Sequence, residues 1–427
     1  MYVAESTRAV RAARDAEPGA RRARVGRIVL LLGLTSLLTD VSAEMVATIL
    51  PIYVVFALGA TPLQFGVLDG LYQGASAFVR LFSGVLADRR GRHKQVAVAG
   101  YGLSALSKLG LVLAGGTVPG LAALLFVDRT GKGIRTAPRD AMISLSTRTQ
   151  DLGRAFGVHR MMDTAGALLG PLVAVALLAL APRRYDVVFV VSLAFALVGL
   201  AVLVFFVQPA KRRAPVAEPV SAPVAAPAER VSLREALRLL REPRFRMLAV
   251  VGGVLALVTI SDGFIYLGLQ RNLDFSPTLL PLLYVGTACA YMVLAVPFGV
   301  LADRIGRWPV FIVGYSLLIA VYAALLLEGL GTVALIGFLL LFGAYYAATD
   351  GVLAAMASAL LPEHLRASGL ALLVAVTSLA RLVGSLGFGL AWTLVGMQSA
   401  AGIFATLLAL AALLTGSAVM RRRTVDA

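Results

Sequence analysis

The first long apolar segment of the chain, at residues 28–57, carries two acidic residues that could move protons. Asp40 and Glu44 are four positions apart, so they share one face of a helix. Two carboxyl groups this close together in a medium of low dielectric constant do not both ionise easily. Such a pair can exchange a proton or bind a cation. The alternative is that burial keeps one of them permanently protonated in a structural role.

The next two apolar segments add polar residues at helical spacing. One face of the second segment combines four of them: Asp69, Gln73, Ser76 and Arg80. A polar stripe along an apolar helix predicts a water-filled cavity on that side, because lipid cannot solvate it. Lys108 lies deep in the third segment and requires a negatively charged partner. The candidates are Asp40, Glu44, Asp69 and a substrate anion.

The second half of the chain holds fewer ionisable residues within its apolar segments. Asp262 and Tyr266 take in the seventh segment the positions that the acid pair takes in the first. Asp350 and Arg381 lie in the tenth and eleventh segments. Ionisable residues inside a membrane are costly, so each is a candidate for the coupling site or the substrate cavity. Several tyrosines in these segments predict an aromatic contribution from this half.

Neither an enzyme nor a metal or cofactor site is predicted. Two of the three histidines, His93 and His364, fall between apolar segments. The third, His159, lies one turn before Asp163, and this pair favours a gating network over a metal site. The single cysteine, Cys289, allows neither a disulfide nor a cysteine cluster. The sequence contains no phosphate-binding loop, zinc-protease motif or serine-hydrolase motif.

These residues are embedded in twelve apolar segments. Hydrophobic residues make up 59% of the 427-residue chain and charged residues 15%, and the mean hydropathy is +0.86. A helix needs about 20 apolar residues to span a bilayer. Segments of that length are predicted at 28–57, 63–86, 95–114, 119–143, 154–180, 185–207, 247–269, 278–301, 309–328, 332–360, 366–395 and 398–420. The predicted fold class is therefore an all-α membrane protein with twelve transmembrane helices.

Most of the 39 lysines and arginines lie on one side of this arrangement. Only Arg183, Arg184 and Arg271 fall in the connections on the other side. Basic residues accumulate on the cytoplasmic side of membrane proteins. Both termini are therefore expected in the cytoplasm, with the protein in a bacterial inner membrane. The net charge of +16 is explained by this topology and does not indicate a nucleic-acid partner.

A linker divides the chain into two predicted six-helix bundles. Residues 1–27 form a basic N-terminus, 28–207 the first bundle, 208–246 the linker, 247–420 the second bundle and 421–427 the tail. Five prolines between positions 209 and 227 predict a semi-extended tether. Ser232 and Glu235 then form a capping box, which predicts a short amphipathic helix through about Leu240.

A nine-residue motif occurs once in each half. The sequence GVLADRRGR at 84–92 follows the second segment, and GVLADRIGR at 299–307 follows the eighth. The sequences RAFG at 154–157 and RASG at 366–369 form a second pair in the same order. Two matches at nearly equal offsets indicate duplicated halves, related by pseudo-symmetry. Glycines in such motifs allow helices to approach closely, and carboxylates at helix ends can cap a facing helix or pair with arginine.

The repeated motif resembles motif A of the major facilitator superfamily. Arg129 with Gly133 resembles motif B, and residues 128–140 are similar to a subgroup of bacterial permeases. Four residues match motif C, which is associated with antiporters: Gly157, Gly166, Gly170 and Pro171. Ala174 stands where that motif has a further glycine. The resemblance covers the chain apart from the N-terminal 27 residues and the linker.

The resemblance implies a secondary transporter whose halves rock about a central cavity. It also implies a conformational gate, formed by the motif A residues together with Asp163: Gly84, Asp88, Arg89, Gly91, Arg92, Gly299, Asp303, Arg304, Gly306 and Arg307. Arg129 is implied in proton transfer, and the alternative is a buried salt bridge with a neighbouring aspartate.

We expect protonation of Asp40 or Glu44 to drive export of a small molecule by antiport. One alternative is uptake or export of an organic anion or a metal chelate, which would suit the cationic residues Arg80, Lys108, Arg129 and Arg381. A minor alternative is a receptor that moves no solute. The expected partners are a small-molecule substrate, protons and the lipid bilayer, and the expected state is a monomer without cofactors.

Overall fold

The computed structural model of the chain describes residues 26–90, 92–114, 116–148, 151–208, 238–327, 331–362 and 365–425. Within its helices, the side chains at 77, 78, 80–90, 114, 332, 366, 367 and 418–425 are not described. The described residues form helices without any strand. The capping box at Ser232 and Glu235 lies outside the described residues, as do residues 1–25.

Twelve helical segments follow one another along the chain, and the seventh is divided into two helices. Their bounds are α1 Arg27–Ile52, α2 Pro62–Arg90, α3 His93–Ala114, α4 Val118–Ser146, α5 Leu152–Leu180, α6 Tyr185–Ala201, α7a Pro243–Leu257, α7b Asp262–Leu273, α8 Leu280–Ile305, α9 Arg307–Leu325, α10 Thr332–Leu360, α11 Arg366–Val395 and α12 Met397–Val425. The predicted twelve-helix, all-α membrane fold is confirmed.

Ten segments of the described chain are long and apolar enough to span a bilayer. The other two, α2 and α4, are less apolar, and α4 in addition carries several charged residues. In α4 the charged residues include Asp128, Arg129 and Arg135, and all three are buried inside the protein. Groups on the neighbouring helices therefore surround these charges and shield this part of α4 from lipid.

The seventh segment is broken at residues 258–261, between α7a and α7b. The break frees backbone groups that need partners inside a membrane. The Ile260 amide donates a hydrogen bond to the Tyr322 hydroxyl at 2.6 Å, and the Thr259 hydroxyl donates to the Leu255 carbonyl at 2.7 Å. Asp262 then begins α7b, where the helix dipole favours a carboxylate. The break thus fixes an acidic residue at the middle of the segment.

The helices of each half pack mainly against one another. In the first half, α1 packs on α5 and α6, and α4 packs on α2 and α3. In the second half, α10 packs on α8 and α9, and α11 packs on α7a. Gly100 and Gly131 bring α3 and α4 together, because a Cβ at Gly131 would lie 2.6 Å from the Gly100 carbonyl oxygen. This close approach sets the register of the two helices, and so it determines which of their charged side chains come into contact.

The two sides of the bundle differ in how closely the halves approach. We call the side where α1 begins and α12 ends the terminal side, and the side of the α1–α2 and α11–α12 connections the hairpin side. On the hairpin side α2 packs tightly on α11: a Cβ at Gly66 would lie 2.6 Å from the Ser385 carbonyl oxygen, and one at Gly389 would lie 2.6 Å from the Pro62 carbonyl oxygen. The hairpin side is therefore closed.

On the terminal side most residues at the end of α8 are exposed. Residues 299–301 and 303–305 are all exposed, and Ala302 is the one buried residue of this stretch. On α5, the residues Gly157 and Met161 are exposed in the same way. The exposed residues, together with the open space around Gly157 and Gly299, indicate that α5 and α8 diverge toward the terminal side.

Candidate functional site

A cavity of about 310 Å³ lies between the two halves. Its walls come from α1 and α5 of the first half and from α7b, α8 and α10 of the second. Three carboxylates line it, Glu44, Asp262 and Asp350, together with four tyrosines: Tyr266, Tyr284, Tyr291 and Tyr346. No lysine, arginine or histidine is among the residues described on its walls. The cavity therefore combines negative charge with aromatic surface.

Glu44 supplies the only carboxylate that the described residues of the first half contribute to this cavity. Gly170 of α5 packs directly against it, since a Cβ at Gly170 would lie 2.7 Å from the Glu44 Cβ. Among the described side chains, none forms an ion pair within 4 Å or a hydrogen bond with the Glu44 carboxylate. A carboxylate that is half-buried and lacks a fixed counter-ion can change its protonation state without breaking a salt bridge.

Asp40, one turn before Glu44, has a partner. Its Oδ1 lies 3.4 Å from Arg135 Nη2, and the Arg135 guanidinium stacks 4.5 Å from the centre of the Tyr101 ring. The structure therefore separates the acid pair, with Asp40 paired inside the first half and Glu44 on the cavity wall. The helical spacing that places both on one face is correct, but their surroundings differ.

Lys108 pairs with an aspartate that was not among its predicted partners. Lys108 Nζ lies 3.0 Å from Asp128 Oδ1, and Arg129 Nη2 lies 2.5 Å from Asp128 Oδ2. The Arg129 guanidinium also covers the Tyr72 ring at 3.9 Å. The predicted partners in α1 and α2 are wrong, because the contact between α3 and α4 brings Asp128 to Lys108 first. Lys108 and Arg129 thus lie outside the cavity lining, in a buried cluster with Asp128.

Asp69 lies in the contact between the halves and not on the cavity wall. It is 8% exposed, and the Ser385 hydroxyl of α11 donates to its Oδ2 at 2.8 Å. The predicted water-lined stripe is therefore wrong for this residue, because α11 covers its face of α2. Gln73 and Ser76 are half-buried, and the side chain of Arg80 is not described.

A polar network occupies the terminal side of the first half. Arg139 Nη1 donates to Ser36 Oγ at 3.1 Å and lies 3.7 Å from Asp163 Oδ1, while Ser36 Oγ is 3.1 Å from His159 Nε2. Arg160, largely exposed, lies 3.5 Å from Asp163. This network connects α1, α4 and α5. His159 and Asp163 thus belong to one polar network, whose described contacts stay within the first half. The gating role of this pair stays a prediction.

The second copy of motif A forms no latch among the described residues. A Cβ at Gly299 would meet no described atom within 4 Å, Asp303 and Arg304 are exposed, and Gly306 takes a φ of 98° between α8 and α9. Arg307 donates to the Ala355 carbonyl at 2.9 Å, which ties α9 to α10. In the first copy, the surroundings of Gly84, the side chains of Asp88 and Arg89 and the whole of Gly91 lie outside the described part of the chain, and Arg92 is exposed.

The motif C residues pack α5 against α1. A Cβ at Gly166 would lie 2.5 Å from the Leu37 carbonyl oxygen, and Gly170 contacts Glu44 as described above. Pro171 lines the cavity. A Cβ at Gly157 would meet no described atom within 4 Å, so this residue takes no part in the contact. The motif thus serves close helix packing at the level of Glu44.

On the wall of the second half, Asp262 and Asp350 are held differently. The Tyr346 hydroxyl donates to Asp262 Oδ1 at 2.5 Å, and the Tyr266 hydroxyl donates to Thr287 at 2.8 Å. Asp350 is exposed to the cavity, one turn after Tyr346 on α10. Arg381 lies within electrostatic range of both aspartates but does not line the cavity.

Sequence reasoning missed the threonines of the cavity wall. Thr48 lies one turn after Glu44 on the same helix face, and Thr287 lies one turn after Tyr284. Helical spacing from the acidic residue would have identified Thr48. Thr287 carries no comparable pattern, since only its hydrogen bond with Tyr266 reveals its role.

The comparisons with known proteins agree with this architecture. The chain matches the sequence model of the Major Facilitator Superfamily at residues 32–267 and 254–426. It is 30% identical over 374 residues to an uncharacterized MFS-type transporter of Methanocaldococcus jannaschii, covering 85% of this chain and 88% of that protein. It is 32% identical over 167 residues to the multidrug resistance protein MdtH of Photorhabdus laumondii, covering 39% of each.

Solved structures share the fold at low sequence identity. The nucleoside transporter NupG (D323A mutant) superposes with a TM-score of 0.75 at 14% identity, over 92% of this chain and 99% of that one. A POT family transporter in complex with a thioalcohol-conjugated peptide gives 0.72 at 13% identity, over 93% and 96%. With two six-helix halves around a central cavity and a family match over nearly all of its length, the chain belongs to the major facilitator superfamily of secondary transporters and is not an enzyme.

Proposed function

We propose that this transporter exports a small organic molecule in exchange for protons, with Glu44 as the residue that carries the proton. The observation that supports this most directly is the position of Glu44: its carboxylate lies on the wall of the central cavity and has no ion-pair partner among the described residues. The other acidic residues of the first half are less suited, because Asp40 and Asp128 each have an arginine as partner.

Alternating access gives the protonation state of Glu44 its effect. When the halves close around the cavity, an unpaired carboxylate would be buried at a high cost in free energy. A bound proton removes that charge, so the empty carrier closes with Glu44 protonated. A bound substrate would instead fill the cavity and contact the ionised carboxylate, which also removes the cost of burying it. The proton and the substrate therefore exclude each other. Such exclusion is the physical basis of antiport.

Direction and orientation are part of this proposal. The basic connections favour a cytoplasmic location for the terminal side by the positive-inside rule, so the opening between α5 and α8 would face the cytoplasm. Motif C packs α5 on α1 beside Glu44, and the relative MdtH is named a multidrug resistance protein. Together these favour export across a bacterial inner membrane. We expect a monomer, because the cavity lies within one chain.

The test is proton release on substrate binding by the purified protein. In weakly buffered detergent solution, with a pH indicator, each of a panel of cationic drugs, organic anions and metal chelates is added in turn. A substrate should release protons from the wild type, and Glu44→Gln should abolish the release while the protein stays monodisperse. Asp186→Asn, at an exposed aspartate outside the cavity, is the control. Unchanged release from Glu44→Gln would contradict the role of this residue.

Transport of an organic anion or a metal chelate, in either direction, is the second candidate. The half-buried Arg381 supports it, since its Nε has no hydrogen-bond partner among the described residues and would suit an anionic group. In the same panel, this candidate predicts that an anion binds with uptake of a proton. If that uptake is lost when Arg381 is replaced, the result would favour this candidate over export of a cationic or neutral substrate.

A further inference from the structure

The two walls of the central cavity differ in their chemistry. The first half contributes Glu44 among residues that are otherwise mostly apolar, including Ala167, Leu168 and Pro171. The second half contributes two carboxylates and all four tyrosines. A proton needs only one carboxylate, so the tyrosines and the second-half acids are available for recognition of a larger ligand.

We infer that the transported substrate is an organic cation with an aromatic or apolar body, and that its charged group binds at Asp350 between the rings of Tyr291 and Tyr346. This inference rests on the proposed transport function and names its substrate class. In this proposal the proton binds at Glu44 of the first half, and the charged group of the substrate binds at the second half.

Asp350 is the suitable carboxylate of this wall. It is exposed to the cavity, and among the described residues no cation lies within 4 Å of it. Asp262, by contrast, accepts the hydroxyl of Tyr346. That hydrogen bond fixes the Tyr346 ring one turn before Asp350 on α10, and Tyr291 of α8 lines the same cavity as Asp350. A cation between them gains both a charge pair and ring faces.

None of the described basic residues near the cavity lies on its walls. Asp128 pairs with both Lys108 and Arg129, which leaves one positive charge in that buried cluster, and Arg135 is paired with Asp40. Lys132 and Arg381 lie within electrostatic range of the cavity acids, but neither lines the cavity. At contact distance a ligand therefore meets carboxylates, hydroxyl groups and aromatic rings. These groups select a positive charge over a negative one.

The test compares two ions of the same shape and opposite charge. Binding of tetraphenylphosphonium and tetraphenylborate to the purified full-length protein is measured by equilibrium dialysis, and phenyltrimethylammonium serves as a smaller cation. The wild type should bind at least one of the two cations. Asp350→Asn should weaken that binding by about tenfold or more, because the variant loses the charge pair. Asp350→Glu should restore most of it.

Matched variants separate the contributions of charge and ring. Asp274→Asn, which removes a carboxylate outside the cavity, should leave binding unchanged. Tyr291→Phe should keep the cation affinity, whereas Tyr291→Leu should lower it about fivefold, as expected for loss of one cation–π contact. Binding of neither cation, cation binding unaffected by Asp350→Asn, or tighter binding of tetraphenylborate than of tetraphenylphosphonium by the wild type would overturn the inference.

The cation inference and the proton-exchange proposal can fail independently of each other. If cation binding depends on Asp350 but substrate releases no proton, the substrate class stands and the proton exchange fails. If proton release through Glu44 accompanies a neutral or anionic substrate instead, the exchange stands and the cation inference fails.

Discussion

The ion-pair partner of each buried acidic residue in the first half determines whether that residue is free to exchange a proton. Asp40, Glu44 and Asp128 all lie in apolar segments, but only Glu44 reaches the cavity without a described counter-ion. The sequence predicted the shared face of Asp40 and Glu44, because helical spacing is a local property. It did not predict that Lys108 meets Asp128, since that contact depends on how α3 and α4 approach through Gly100 and Gly131.

Removing Asp128 from its buried cluster should destabilise the protein more than removing Lys108. Asp128→Asn leaves both Lys108 and Arg129 without their carboxylate, so we expect a loss of stability of about 3–5 kcal/mol. Lys108→Met keeps the pair of Asp128 with Arg129 and should cost only about 1–2 kcal/mol. Thermal unfolding of the detergent-solubilised protein measures the difference. Equal losses in the two variants would mean that Asp128 does not hold the cluster together.

At the scale of helices, the α2–α11 contact holds the hairpin side closed. Gly66 and Gly70 of α2 face Ser385 and Leu382 of α11: a Cβ would lie 2.6 Å from the Ser385 carbonyl oxygen at Gly66 and 3.0 Å from the Leu382 carbonyl oxygen at Gly70. The number and order of the helices could be predicted from apolar length. The contact could not, because it joins the two halves across the whole chain. The break in α7 was also missed, since residues 258–261 contain neither glycine nor proline.

Gly66→Ala should therefore shift the protein toward the state that is open on the hairpin side. Its Cβ would lie 2.6 Å from a backbone oxygen of the other half, which cannot move aside alone. Overpacking of this kind costs about 1–3 kcal/mol, which shifts a two-state equilibrium by about fivefold to a hundredfold.

Spin labels at Gly116→Cys and Ser399→Cys, in a Cys289→Ser background, report the distance between the halves on the hairpin side. The population with the longer distance should increase in Gly66→Ala. The control is Gly102→Ala in α3, where a Cβ meets no described atom within 4 Å. A distance distribution identical to the parent in both variants would show that this contact does not set the equilibrium.

At the scale of the whole molecule, the halves are joined on one side and apart on the other. Helix count, the duplicated motif and the family could all be predicted from the sequence, because apolar length and internal repetition are encoded along the chain. The composition of the cavity could be predicted only in part. Glu44, Asp262, Tyr266 and Asp350 were identified, whereas Lys108, Arg129 and Asp69 lie elsewhere because neighbouring helices cover them.

The central claim is that substrate moves against protons through this cavity. The most direct measurement uses proteoliposomes with a pH dye inside and an imposed proton gradient, with substrate flux and internal pH recorded together. We predict proton movement opposite to that of the substrate, lost in the Glu44→Gln variant and retained in Asp186→Asn. Substrate flux without proton movement, or proton movement in the same direction as the substrate, would contradict the account.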